Sequence, residues 1–150
     1  MAQSYQHHSN KWIASEFVTG VVFLVCGCAI YLFSRSKSLN IYQWCSALGW
    51  SNTIDALRHR VHDWNILEFV KFSLPDGLYC AAYILMIDSI WHDDRRFVKY
   101  IVILLVPLVT ISSEILQYFG LVRGTFDVYD LICYTIPPII YFIYIFKFNN

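Results

Sequence analysis

The sequence predicts an all-α membrane protein: a four-span transmembrane helical bundle with an interfacial amphipathic segment between spans one and two. Three observations predict it. The chain of 150 residues is 57% hydrophobic and 18% aromatic, more apolar surface than a single domain of that length buries in water. Charged residues make up 15%, against about a quarter in soluble domains, and the mean hydropathy is +0.48. The apolar residues also gather into runs long enough to cross a bilayer. The expected spans are approximately 16–33, 73–91, 97–118 and 129–146, within one integral membrane domain covering 1–150.

The first 15 residues are polar. The run Phe17 to Phe33 then carries no charge and has no small-x-small cleavage site after it. It is longer than the apolar part of a typical signal peptide, so the expectation is a retained anchor helix, which Trp12 and Ile13 extend. Gly20 and Gly27 lie seven apart on it. They suit either close contact with another helix or simply a lipid-facing surface.

From Ser34 to about Lys71 the chain is extramembrane or interfacial. Ile54, Leu57, Val61 and Trp64 recur at helical spacing among Asp55, Arg58, Arg60 and Asp63, the pattern of an amphipathic helix. Trp44, Trp50 and Trp64 suit the headgroup region. The segment is either a connector resting on the membrane or a lid. His59 and His62 are spaced to share a metal ion, but no third ligand accompanies them, and a solvated face is the simpler reading.

Span two opens at Ser73-Leu74-Pro75-Asp76: a hydroxyl cap, a proline in the first turn and an acid at the positive end of the helix dipole. Asp76 therefore serves either as a helix-end charge or as part of a site. The polar turn His92-Asp93-Asp94-Arg95-Arg96 leads to span three, Phe97 to Tyr118, which contains Pro107. In span four, Pro137-Pro138 should bend the helix without ending it, because neighbouring helices can satisfy the freed backbone groups.

Five cysteines, Cys26, Cys28, Cys45, Cys80 and Cys133, lack the spacing of a metal site or a disulfide framework and mostly sit in apolar runs as small hydrophobes. Eleven basic and eleven acidic residues balance to a net charge of zero, which argues against nucleic acid as a partner. No metal set or cofactor is identified.

The candidate site comes from topology. Four spans bring Asp76, Glu114, Gln117, Asp127 and Asp130 to the face opposite the termini, with Arg123 in the short turn between spans three and four. Glu114 and Gln117 share a helix face, as do Asp127, Asp130 and Tyr134, and Asp76, Tyr79 and Tyr83. Each such charge costs about 2.5–3.5 kcal/mol at a helix centre, so these residues face one another or a ligand. The alternatives are an ion-pair network around Arg123 and a ligand site, in which four acids against one arginine point to a cation, a cationic group or a protonated carboxyl. Basic residues divide almost evenly between the two faces; the Arg95-Arg96 turn and Lys147 lean toward termini inside.

The chain resembles the VanZ-like family of small bacterial membrane proteins. The resemblance rests on Glu114-x-x-Gln117, on Arg123-Gly124-Thr125-Phe126-Asp127-x-x-Asp130, and on Leu74-Pro75-Asp76-Gly77-Leu78-Tyr79. The chain departs from the family pattern after the last acid, with Cys133, Tyr134 and Pro137 where asparagine and glycine are common. The resemblance implies a bacterial inner-membrane protein of the cell envelope with a link to glycopeptide resistance, and the lean of the basic residues puts both termini on the cytoplasmic side. On that reading the six polar residues bind a lipid or lipid-linked wall-precursor headgroup, with Arg123 on phosphate. Two other classes stay open: a non-catalytic subunit, scaffold or oligomeric pore with a membrane protein partner, and an intramembrane lipid-modifying enzyme using Glu114 or Asp127 as general acid or base.

Overall fold

The computed structural model describes residues 2–37, 40–62, 67–92 and 97–148. The expectations at Asp63, Trp64 and the turn 93–96, and at the side chains of Val61 and His62, lie outside the described residues. All regular structure among the described residues is helical: α1 Ala2–Ser34, α2 Asn40–Ala47, α3 Ser51–His62, α4 Glu68–Phe72, α5 Leu74–Ile90, α6 Phe97–Tyr118 and α7 Val128–Phe148. The apolar run of α1 begins at Ile13, but its helix runs back through the polar start of the chain to Ala2.

Among the described residues, three helices are long and apolar enough to cross a membrane: Ile13–Ser34 within α1, α6, and α7 from Val128 to Lys147. Only 11%, 22% and 17% of these windows is buried inside the protein, so the apolar surface has to be covered from outside. Ile101, Leu105, Leu108 and Val109 of α6 and Ile136, Ile139, Ile140 and Ile143 of α7 form such outward faces. Helix α5, expected as a span, has 17 residues. At the helical rise that is about 25 Å, less than the ~30 Å of a typical hydrocarbon core.

Short as it is, α5 is the central helix, packed against α1, α6 and α7. Its Cys80 and Ile84 join Ile103 and Tyr141 in the buried core, with Tyr83, Ile87, Tyr134, Phe142 and Ile145 around them. Missing side chains bring its neighbours close. A Cβ on Gly20 would lie 2.8 Å from Met86 Cγ and 3.1 Å from the Ala82 carbonyl; one on Gly27 would lie 3.0 Å from the Tyr79 ring. The two glycines of α1 therefore make a helix contact, the closer-packed of the two roles open to them. On the other side, Gly77 meets Cys133 of α7, where a Cβ would come within 3.1 Å of that residue's own.

Helix α7 continues through Pro137 and Pro138. Pro138 deprives the Tyr134 carbonyl of its helical N–H partner, and the Cys80 thiol of α5 donates to that oxygen at 3.7 Å. The structure supplies a neighbouring-helix partner, as expected for prolines in a spanning helix.

The start of α5 differs from the sequence reading. Ser73 occupies the cap position but has helical backbone angles, φ −103° and ψ −34°, and its side chain makes no cap bond. Its N–H donates to the Phe69 carbonyl and its carbonyl accepts from Gly77, so α4 runs almost without a break into α5. A hydroxyl cap needs extended backbone at that residue, and Ser73 lacks it. Pro75 and Asp76 do occupy the first turn.

Helix α3 docks on the end of α1, and α2 packs on α3. Arg58 donates to the carbonyls of Leu32 and Arg35, capping the last turn of α1 as a basic side chain can. Lys37 pairs with Asp55 at 2.7 Å, and the Tyr42 hydroxyl donates to the same carboxylate at 3.0 Å. Trp44 and Trp50 are exposed, as an interfacial placement expects.

Two expected outcomes follow from these contacts. Gly20→Leu should destabilise the protein by about 1–3 kcal/mol through overpacking, read as a lower Tm in detergent by circular dichroism; an unchanged Tm would mean that α1 and α5 do not meet there. The hydrogen bond from Lys37 holds Asp55 below its usual 3.8 and, reciprocally, Lys37 above its usual 10.5. The Asp55 contribution is therefore present above pH 3.8 and lost as pH falls through the depressed value, and the Lys37 contribution is lost only as pH rises through its raised one. An NMR titration of Asp55 should give a midpoint below 3.8 that returns toward it in Lys37→Met.

Candidate functional site

The polar residues at the α5, α6 and α7 ends are brought together by two turns. Helix α6 ends in a Schellman motif: the Leu121 N–H donates to the Leu116 carbonyl and the Gly120 N–H to that of Gln117, both at 2.9 Å. Gly120 has φ +68°, which glycine adopts without penalty. The chain then returns to α7, where Asp127 is the cap residue: its Oδ1 accepts the Tyr129 N–H at 2.8 Å and its carbonyl accepts from Leu131. That is standard N-cap bonding. The Asp127 N–H points back to Glu114 Oε2 at 3.5 Å.

One turn into the bundle, Glu114 is only 6% exposed. The Tyr134 hydroxyl of α7 stands beside the Asp76 carboxylate of α5, and the charges of Asp130 and Glu114 act on Asp76. Asp130 Oδ1 is buried with no hydrogen-bond partner among the described residues. An acceptor left in that state costs about 1–3 kcal/mol, more when charged.

The predicted residues thus divide. Asp76, Glu114 and Asp130 meet at one end of the bundle, with Asp127 attached through its backbone. Gln117 turns aside: its amide donates to Ser113 at 3.4 Å and lies over Gly124, where a Cβ would come within 2.6 Å of it. Arg123 is exposed on the connecting loop. Among the described residues, no salt bridge reaches it.

The basic group beside the acids is Arg35, at the end of α1. Its guanidinium lies 5.2 Å from the Tyr31 ring centroid and 4.9 Å from that of Phe72, and it donates to the Phe72 carbonyl at 3.2 Å. Its charge acts on Asp76, while its Nε is buried without a hydrogen-bond partner among the described residues. No local pattern marks this residue, since its contact spans 37 positions. Among the described residues, no group of three or more His, Cys, Asp and Glu side chains is placed to hold a metal ion.

A second polar layer, missed in the sequence, lies at the other end of the bundle. Lys99 of α6 pairs with Asp88 of α5 at 2.6 Å, and the Tyr141 hydroxyl of α7 donates to the same oxygen at 2.6 Å. Glu16 of α1 stands within reach of their charges, and Ser89 donates to the Ile13 carbonyl at 2.9 Å. The signal was present: Asp88 and Lys99 each fall inside a predicted span, where an ionisable residue is costly enough to require a partner.

Comparison of the chain with known protein families, with curated proteins and with solved structures finds no match.

Asp127→Ala should remove the cap and cost about 1 kcal/mol, whereas Asp127→Asn keeps an accepting oxygen and most of the stability. Thermal unfolding of both variants checks this; equal losses would show that the charge of Asp127, not its cap bond, is what the fold uses.

Proposed function

We propose that this is a VanZ-like integral membrane protein of the bacterial cell envelope that crosses the inner membrane four times, with both termini cytoplasmic. It binds the headgroup of a lipid or lipid-linked wall precursor at the Asp76–Glu114–Asp130 layer. The fourth crossing is α5. Joined to α4 through Ser73 it makes 23 residues from Glu68 to Ile90, about 34 Å of helix, which matches the bilayer core.

The observation that carries the reading is the pair of unpartnered buried atoms, Asp130 Oδ1 and Arg35 Nε, on groups that both stand close enough for their charges to act on Asp76. A buried acceptor and a buried donor of opposite charge match a headgroup that carries both an ammonium or hydroxyl group and a phosphate. Phosphate suits a guanidinium, which offers it a fork of donors; the ammonium suits the acids. Arg35 takes the inner phosphate contact, and Arg123, exposed on the loop, meets the headgroup at the rim. Resistance to a glycopeptide would follow if the bound headgroup belonged to a wall precursor.

Native mass spectrometry on gently extracted protein tests this. Wild type should carry a phosphate-containing lipid, and Asp130→Asn and Arg35→Gln should each lower its occupancy by about tenfold or more, the size expected for a charged hydrogen bond. Arg123→Ala should weaken it less. A bare wild-type protein, or a lipid that survives both inner variants, overturns the proposal.

A further inference from the structure

The second polar layer opens into a cavity that the proposed headgroup site does not use. It has a volume of about 590 Å³, within the usual range for small-molecule sites, and lies between α1, α5 and α7. Its walls are largely apolar, with Phe23, Leu85, Ile136 and Ile140 along them, and its polar end is formed by Glu16 and Asp88.

The hydrogen-bond inventory at that end is uneven. Asp88 Oδ1 already receives both Lys99 and the Tyr141 hydroxyl. Glu16 Oε2 is buried with no hydrogen-bond partner among the described residues, although Glu16 lies near Asp88, Lys99 and His92. Among the described residues, two carboxylates thus stand against one buried lysine, Lys99 being 7% exposed, with His92 exposed beyond them. The missing element is a donor carrying positive charge. A carboxylate ligand would face two acids, and a plain acyl chain would leave Glu16 as it is, at the cost of an unsatisfied buried acceptor.

We propose that this cavity binds a hydrophobic amine, its alkyl chain lying between α1, α5 and α7 and its ammonium group donating to Glu16 Oε2. Asp88, Lys99 and Tyr141 position the head: Asp88 adds negative charge, and its own bonds to Lys99 and Tyr141 keep it from competing for the ammonium. The chain enters from the bilayer, because the cavity lies among lipid-facing residues such as Ile136 and Ile140. This site is at the opposite end of the bundle from the headgroup layer and stands or falls separately from it.

The test uses the full chain in detergent, with dodecylamine, dodecanol and dodecanoate as probes and native mass spectrometry as the readout. Wild type should retain dodecylamine about tenfold more tightly than dodecanol and reject dodecanoate. Glu16→Gln should erase the preference for amine over alcohol, and Ala81→Phe, which places a ring in the cavity, should lower the occupancy of both. Asp130→Asn, at the other end, should leave dodecylamine binding unchanged. Equal retention of amine and alcohol by wild type overturns the proposal without recourse to any variant. Full binding by Ala81→Phe, an amine preference that survives Glu16→Gln, or loss of binding in Asp130→Asn does so as well.

Discussion

A carboxylate surrounded by apolar helices must find its counter-charge or donor within the protein, and α5 carries one near each end. Asp76 is met by Tyr134 and Arg35, and Asp88 by Lys99 and Tyr141. The partners come from α1, α6 and α7, so satisfying two acids on one short helix fixes the neighbours of that helix on every side. The packing follows. Gly20, Gly27 and Gly77 remove the side chains that would hold those neighbours away, and the core around Cys80 and Ile84 fills the space between the two charged layers.

The two layers stand about 18 Å apart along α5, well inside the thickness of a typical hydrocarbon core. With side chains only 9% and 15% exposed, the Lys99–Asp88 pair has little water to compete with it, and a buried oxygen such as Asp130 Oδ1 or Glu16 Oε2, without a partner among the described residues, has little to fall back on. This is why unpartnered atoms, more than the count of acids, identify places where something else can bind. The first layer pairs an orphan acceptor with an orphan donor and suits a headgroup with both charges. The second offers an acceptor beneath an apolar cavity and suits an amine with a tail.

Backbone groups obey the same constraint. The carbonyl released by Pro138 is taken by the Cys80 thiol, and the last carbonyls of α6 are taken by its own Schellman turn. That turn also decides the fate of the loop beyond it. It sends the chain back toward α7 with Asp127 spent on capping and Gln117 folded over Gly124, which leaves Arg123 outside.

The sequence by itself determined the helical class, the bounds of α6, which match the apolar run from Phe97 to Tyr118, and the convergence of Asp76, Glu114 and Asp130 at one end. These are properties of local hydropathy, helical period and chain parity, and each can be read one stretch at a time. Tertiary structure alone decided which cation joins the acids. Arg35 wins over Arg123 because its position depends on Phe72 and Tyr31 holding the guanidinium, a contact between distant parts of the chain. The same holds for the Glu16–Asp88–Lys99–Tyr141 layer, assembled from four helices, and for the cap at Ser73, where the continuation of α4 sets backbone angles that a serine's own preference does not. A residue's local pattern reports which face of its helix it occupies; the partner waiting on that face is set by how the other helices pack.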